Sequence, residues 1–148
     1  MYPEPLLNAV KSSDPHRVKA AIRRGDKVNG QEVCLLAVAL SAHVRFKDLD
    51  YARGANNAYD VFELLVKAGA RTNRVLAYGQ TLLFEVVQLR HDTGMALCEL
   101  LLKHGANPNF ITATGYTPLH AAAECNNMAA IALLFVFDLL ALVVLFCN

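Results

Sequence analysis

Three glycines in this 148-residue chain are each followed four residues later by an asparagine, and this spacing constrains the fold more than any other feature. Each glycine follows an apolar stretch that has the periodicity of a helix. Glycine adopts the left-handed backbone conformation without steric strain, so it commonly terminates helices. The pattern therefore predicts helices that end at recurring positions, namely Gly25–Asn29, Gly69–Asn73 and Gly105–Asn109.

A helix start lies in the last third of the chain, at Thr117-Pro118-Leu119-His120. Threonine is a favoured N-cap residue, and proline is favoured at the first helical position because its missing N–H would have no partner there. Together with the glycine–asparagine repeats, this Thr-Pro-Leu-His motif resembles the ankyrin-repeat family. The resemblance implies an all-α solenoid of about four helix–turn–helix repeats with an apolar C-terminal helix.

The resemblance divides the ankyrin-like domain, residues 4–134, into repeats at about 4–29, 30–73, 76–109 and 112–134. The helix-ending glycines are separated by 44 and 36 residues, whereas the usual period of this family is about 33 residues. The extra residues are expected between the two helices of a repeat, at about Ser41 to Tyr59 in the second and Arg90 to Gly94 in the third. Surface loops and helix extensions tolerate such insertions.

Charge and cysteine content argue against several classes of site. The formal net charge of +1 gives no reason to expect a nucleic-acid partner. The four cysteines are far apart and form neither a Cys-x-x-Cys pair nor a Cys/His cluster, so we expect reduced thiols and no metal site. The first residues lack the pattern of a secretory signal, which favours a cytoplasmic protein.

Catalytic motifs are missing from the sequence: it contains no Gly-rich phosphate loop, no nucleophile elbow and no His-Glu-x-x-His pair. We therefore expect no enzymatic activity, no cofactor and no small-molecule substrate. His120 is the most tempting catalytic candidate, but it has no adjacent nucleophile. The family resemblance implies instead that this histidine forms local hydrogen bonds around the helix start. Phe84 occupies the matching position in the third repeat, where packing is expected to replace those bonds.

The resemblance also implies binding through an extended surface formed by the connecting fingers and the first helices of the repeats. Apolar residues lie at the predicted finger tips of the third and fourth repeats, which makes Leu76, Tyr78, Phe110 and Ile111 candidate contacts with a protein partner. An alternative is that Phe110, Val75 and Leu76 pack against one another between repeats. Exposed apolar side chains indicate a binding surface only when they form a continuous patch.

A second candidate surface is the insertion of the second repeat, in which Arg45, Phe46 and Tyr51 combine charge with aromatic rings. Arginine and tyrosine are common among the dominant contacts of protein interfaces. The same composition suits weak RNA binding by stacking and charge, but three nearby aspartates offset the positive charge. A protein partner is therefore favoured over nucleic acid, and a solvated helix extension is the simplest alternative.

The segment from Met128 to Cys147 is apolar except for Asp138 and is twenty residues long, about the ~20 residues that a membrane-spanning helix requires. The fourth repeat needs Met128 to Leu134 as its second helix, so these residues cannot serve both purposes. Asp138 also stands where the spacing of the first repeat places a helix-ending glycine. Three interpretations stay open: a tail anchor, a helix packed on the end of the repeats, and an unrelated apolar sequence in place of the natural C-terminus.

From the resemblance, we expect a scaffold or adaptor module that binds other proteins through ankyrin repeats. The alternative is a tail-anchored membrane protein whose cytosolic ankyrin repeats recruit partners to the membrane. The two hypotheses differ only in the role of residues 128–147.

Overall fold

The computed structural model describes residues 4–29, 34–46, 53–76, 78–90 and 92–146, and the chain forms two compact units, Met1–Arg71 and Thr72–Asn148. Within the described residues, regular secondary structure consists of eight α-helices and one isolated bridge between Val75 and Thr81. The all-α class predicted from the sequence is therefore confirmed.

The N-terminal unit contains two pairs of helices. The first pair is α1 (Glu4–Lys11) and α2 (Pro15–Arg23), and the second is α3 (Leu35–Phe46) and α4 (Arg53–Lys67). Both α1 and α4 pack on α2 and α3. The apolar faces of these helices form one core, and its largest fully buried side chains are Leu6, Val10, Val18, Leu35, Leu36, Phe62 and Leu65.

A short turn joins α1 to α2, and the sequence explains its geometry. Ser13 adopts a left-handed conformation with φ of 51°, which reverses the chain. The Asp14 carboxylate then accepts hydrogen bonds from the backbone N–H groups of His16, at 3.0 Å, and Arg17, at 3.2 Å. These donors have no partner inside the helix, so the aspartate defines where α2 begins.

The C-terminal unit also contains two pairs of helices, α5 (Leu82–Val86) with α6 (Asp92–Lys103) and α7 (Pro118–Glu124) with α8 (Met128–Phe146). Of these, α5 packs on α6 and α7, and α8 packs on the same two helices. The core of this unit is formed by apolar side chains from all four helices, among them Leu82, Leu83, Phe84, Leu97, Leu101, Ala121, Ala122 and Ala130.

Asn127 connects the two helix pairs of the C-terminal unit. It precedes α8, is buried, and accepts a hydrogen bond from the Ala130 N–H at 3.2 Å. Its amide nitrogen also donates to the carbonyl oxygens of Val87, at 2.8 Å, and Leu89, at 3.3 Å, in the turn after α5. One side chain therefore caps α8 and satisfies backbone groups of the preceding helix pair, as buried carbonyls require.

The glycines of the repeating pattern terminate helices, as predicted. Gly25, Gly69 and Gly105 follow α2, α4 and α6 with φ between 85° and 89°. In each case the glycine N–H and the next N–H donate to carbonyl oxygens of the last helical turn, at 3.0–3.2 Å. This is the hydrogen-bond pattern of a glycine-terminated helix.

The two predicted insertions become helix extensions where the structure describes them. In the second repeat, α3 continues to Phe46 and α4 begins at Arg53, and the residues between them lie outside the described part of the chain. In the third repeat, the insertion supplies the first turn of α6. Gly94 in that turn lies against Leu89, and a Cβ atom added to it would be 2.7 Å from the Leu89 carbonyl oxygen. Only glycine fits this approach without a shift of the backbone.

Candidate functional site

The Thr-Pro-Leu-His segment forms the start of α7 and holds it by reciprocal hydrogen bonds. Thr117 is the N-cap, and its side-chain oxygen accepts the His120 N–H at 3.5 Å. In return, the Thr117 N–H donates to Nδ1 of His120 at 3.2 Å, and the threonine hydroxyl lies 2.7 Å from the same nitrogen. Pro118 is buried and Leu119 is half-buried beside them. Nδ1 of His120 is therefore engaged in hydrogen bonds that stabilise the start of α7.

The matching segment at the start of α5 has no such cap. Thr81 is the N-cap residue but its side chain accepts no capping bond, and its buried hydroxyl has no hydrogen-bond partner. Phe84 replaces the histidine and is fully buried. Its ring packs edge-on against Phe110 and stacks with Tyr116, both with ring centroids 6.1 Å away. Aromatic packing thus takes the place of hydrogen bonding at this helix start.

Tyr116 connects the apolar and polar helix starts. Its ring stacks on Phe84 on one side and on His120 on the other, with a centroid distance of 5.4 Å to the histidine. A hydrogen bond to the Glu124 carboxylate raises the pKa of Tyr116 to about 12. The phenol is therefore a hydrogen-bond donor at neutral pH and not a base.

Two fingers precede α5 and α7 and have the same backbone turn. In the first, the Leu76 N–H donates to the Gln80 carbonyl at 2.7 Å, and Gly79 has φ of 73°. The second repeats this arrangement between Thr112 and Tyr116 at 2.9 Å, with φ of 77° at Gly115. A positive φ at this position favours glycine. The side chains of these fingers therefore project from short backbone turns that are closed by hydrogen bonds.

The four predicted finger contacts divide into two groups. Tyr78 is 88% exposed and Ile111 is 65% exposed, as a binding residue must be. Leu76 and Phe110 are half-buried, and Phe110 packs on the buried ring of the preceding helix start. The structure adds Val75, which is 50% exposed. We name the exposed set of Val75, Tyr78 and Ile111 the finger surface.

Val75 was not among the predicted contacts, although the sequence held a signal for it. Val75 and Ile111 lie 36 residues apart, which is the separation of Gly79 and Gly115 and of Thr81 and Thr117. They therefore occupy the same position in successive fingers. An apolar, β-branched residue is exposed at this position in both fingers.

Comparison with known families decides the identity of the repeats. A family model described as ankyrin repeats, in three copies, matches residues 49–139, which is more than half of the chain. The chain belongs to the ankyrin-repeat family. The match includes all helices from α4 to α7 and the Thr-Pro-Leu-His motif, and it confirms the resemblance drawn from the sequence. A search of curated proteins found no match.

In these ankyrin repeats, the asparagines of the first two Gly-x-x-x-Asn patterns, Asn29 and Asn73, reach forward to the end of a later helix. Nδ2 of Asn29 donates to the Gly69 carbonyl at 2.7 Å, while its Oδ1 accepts the Arg71 N–H at 2.9 Å. Asn73 forms the same two bonds with the turn after α6, both at 2.7 Å. Each of these two asparagines therefore satisfies backbone groups of a later helix-ending turn, which the sequence pattern alone did not reveal.

Asn109 departs from this scheme because its partner is a side chain. Its Nδ2 donates to the Asp138 carboxylate at 2.5 Å. Asp138 lies within α8, at the point where the earlier repeats have a glycine and the helix ends. The aspartate thus accepts the hydrogen bond that a backbone carbonyl accepts elsewhere, while the helix continues to Phe146.

The second predicted surface is described only in part. Arg45 and Phe46 form the end of α3, but the positions of their side chains lie outside the described part of the structure, as does the whole of Tyr51. These residues stay predictions.

The thiol of Cys98 lies in the core of the C-terminal unit. Burial raises the pKa of the Cys98 thiol to about 12, so this thiol stays protonated at neutral pH. Among the described residues, no three His, Cys, Asp or Glu side chains come together as a metal site would require. Nor does the described part of the chain contain a helix that is long and apolar enough to cross a membrane.

Proposed function

We propose that this protein is a scaffold or adaptor that binds another protein through the finger surface and has no catalytic role. Ankyrin repeats are in general protein-interaction modules. The observation that carries the proposal is the exposure of apolar side chains on the two fingers, with Tyr78 at 88%. Val75 takes the place of Leu76 and Phe110 in this surface, because those two side chains are half-buried and Phe110 packs on the ring of Phe84.

The backbone of the fingers supports this role energetically. An exposed tyrosine offers a large contact area and one polar group, with few rotatable bonds to immobilise. The Gly79 and Gly115 turns are closed by hydrogen bonds before any partner binds. A preorganised turn loses less conformational entropy on binding than a flexible loop does.

The proposal is tested by substituting serine for Val75, Tyr78 and Ile111 together in the full chain. Partners would be captured in cells by proximity labelling and then tested as purified proteins by calorimetry. We expect the triple variant to lose binding while its circular dichroism and melting temperature stay those of the wild type. The control is Ala123→Ser, which places a serine at an exposed apolar position of α7 outside the finger surface. A partner bound equally by wild type and triple variant would place the interface elsewhere, with the Arg45, Phe46 and Tyr51 region as the next candidate.

Membrane anchoring through residues 128–147 is the competing function. The scaffold is favoured because the first half of α8 is engaged: Ala130 and Leu134 are buried, and Asp138 is bonded to Asn109. Insertion into a bilayer would break these contacts and leave the core of the last repeat open. Cell fractionation of the full chain, compared with a chain ending at Leu134, tests this choice. We expect both chains in the cytosolic fraction, whereas recovery of only the full chain with membranes would support the anchor.

The repeat boundaries proposed from the sequence remain at about 4–29, 30–73, 76–109 and 112–134. Each of these ranges contains one of the observed helix pairs or its larger part. Removal of a whole range should then preserve the helicity of the rest, whereas a deletion of equal length that begins in mid-helix should not.

A further inference from the structure

One face of α8 is a continuous apolar stripe that no described part of the chain covers. Six large apolar side chains on it are between 51% and 67% exposed. The buried residues Ala130 and Leu134 lie on the other side of the helix, where α8 packs on α6 and α7. We name the exposed set the α8 stripe; it consists of Met128, Phe135, Val136, Leu139, Leu140 and Val143.

Three residues of the stripe, Val136, Leu139 and Val143, follow a seven-residue repeat that two exposed alanines extend towards the start of α8. Ala129, Val136 and Val143 are seven apart, and Ala132 and Leu139 lie three residues after the first two of them. All five are exposed. These are the a and d positions of a coiled coil, and Val136 and Val143 at a with Leu139 at d are the residue types that favour two parallel strands, while the positions before them hold alanine. The sequence from Val136 to Val143 thus matches a helix that pairs with an identical helix.

Charge on this face is compatible with self-association. A two-fold interface brings each residue close to its own copy, so charged residues near the axis would repel. The chain has no lysine or arginine after Lys103, and the only acidic residue in α8 is Asp138. That aspartate is bonded to Asn109 and is not part of the stripe. Two copies of the stripe can therefore approach without like charges between them.

The area of the stripe is sufficient for a small dimer interface. Half to two-thirds of a large apolar side chain corresponds to roughly 100 Å², so six of them present about 600 Å² on each copy. Two copies would bury about 1,200 Å², the lower end of specific protein interfaces. A patch of this size is also as large as those that mark interaction sites on monomeric proteins.

The hydrogen bonds of the repeats argue against a further ankyrin repeat as the occupant. Regular stacking joins the turn after one second helix to the turn after the next, as Asn29 does between the turns after α2 and α4. The helix α8 has no such turn up to Phe146, because Asp138 stands in place of the glycine. A neighbour on α8 must therefore bind by helix-to-helix packing.

We propose that the α8 stripe is a homodimer interface in which two copies of this chain pair their α8 helices in parallel around a two-fold axis. In this arrangement Leu139 packs against its own copy, and Val136 and Val143 do the same on either side. The α8 stripe shares no residue with the finger surface, so substitutions in one leave the other unchanged in sequence.

The first experiment measures the mass of the full chain by sedimentation equilibrium over a range of concentrations. The mass should rise from one chain to two, and Leu139→Lys should abolish the rise because it places two ammonium groups together at the axis. The control is Ala123→Lys, which adds the same charge at an exposed position of α7 and should dimerise as the wild type does. A wild type that stays a single chain, or a Leu139→Lys chain that still dimerises, would overturn the proposal.

A second variant keeps the test decisive if the lysine prevents folding. Leu139→Cys is apolar and small, and at the axis of a parallel pair the two sulfur atoms would be within reach of a disulfide. Mild oxidation should give more cross-linked dimer than the wild type or Ala123→Cys gives. Cross-linking no greater than in those controls would overturn the parallel arrangement. A single wild-type chain in buffer that binds phosphatidylcholine vesicles, with binding lost in Leu139→Lys, would show that lipid covers the stripe instead.

Discussion

The starts of α5 and α7 are equivalent positions in successive ankyrin repeats, yet they are stabilised in different ways. At α7, Thr117 and His120 exchange hydrogen bonds at a partly exposed site. At α5, a phenylalanine in place of the histidine is fully buried, and the hydroxyl of Thr81 is left without a partner. The Thr-Pro-Leu-His motif is thus one way to stabilise a helix start. Apolar packing is another, and it leaves the N-cap hydrogen bond unformed.

The two helix starts also stabilise different parts of the molecule. The buried ring of Phe84 contacts Phe110 and Tyr116, which belong to the following finger, so this helix start holds two repeats together. The hydrogen bonds of His120 are confined to its own helix start. A substitution at the apolar site should therefore affect the contact between repeats, whereas one at the polar site should affect a single helix.

The largest effect is expected from Phe84→Ala, which removes a fully buried ring and leaves a cavity. Such substitutions lower the free energy of unfolding by about 3–5 kcal/mol. Urea denaturation followed by circular dichroism would measure the change. A loss no larger than that of His120→Ala would show that the two helix starts contribute equally and would remove the basis of the comparison.

The next effect is the loss of the cap at α7. His120→Ala and Thr117→Ala should each lower the free energy of unfolding by about 0.5–2 kcal/mol, the usual range for a lost N-cap. Because each substitution breaks the same pair of bonds, the double variant should be little worse than either single one. Additive losses in such a cycle would mean that the two side chains act separately.

A smaller effect of opposite sign is expected when valine replaces the threonine at the start of α5. Thr81→Val removes a buried hydroxyl that has no partner, so it should leave stability unchanged or raise it by up to about 1 kcal/mol. Thr117→Val has the same change of shape but removes a cap, so it should destabilise. Melting temperatures measured side by side suffice, and destabilisation by both substitutions would indicate that the Thr81 hydroxyl has a partner in solution.

The smallest effect concerns pH. Because the folded-state pKa of Tyr116, about 12, is above its usual value of 10.0, the folded chain holds this proton more tightly than the unfolded chain. The resulting stabilisation is complete below pH 10 and is lost as the pH rises towards 12. The difference between the ultraviolet titration curves of the wild type and of Tyr116→Phe would give the titration of this phenol alone. Glu124→Gln should lower the pKa of Tyr116. A difference titration centred near the usual value would argue against the bond to Glu124.

Much of the fold could be predicted because its determinants are local. A glycine after a helical run and a threonine before a proline act within one turn of chain, so Gly25, Gly69, Gly105 and Thr117 could be assigned from sequence alone. The replacement of hydrogen bonding by packing at Phe84 followed from comparing two repeats. These predictions needed only the residue and its neighbours.

The candidate site was less predictable because exposure depends on contacts distant in sequence. Phe110 and Ile111 are adjacent in the chain, but one packs on the ring of Phe84 and the other is exposed. Likewise, nothing in the apolar composition of residues 128–147 indicates that Asp138 would bond to an asparagine 29 residues earlier. Sequence periodicity identifies the elements, while the pairing of their side chains requires the folded structure.

The forward bonds of the asparagines have a consequence for biosynthesis. Asn29 and Asn73 are made 40 and 32 residues before the carbonyl groups that they bind, and Asn109 precedes Asp138 by 29. At ribosomal rates of about 5–20 residues per second, each amide therefore waits roughly 1.5–8 seconds for its partner. During translation, the asparagine made most recently has therefore not yet formed its hydrogen bonds. Chaperones or proteases can reach the chain at that turn until the following helix pair has been made.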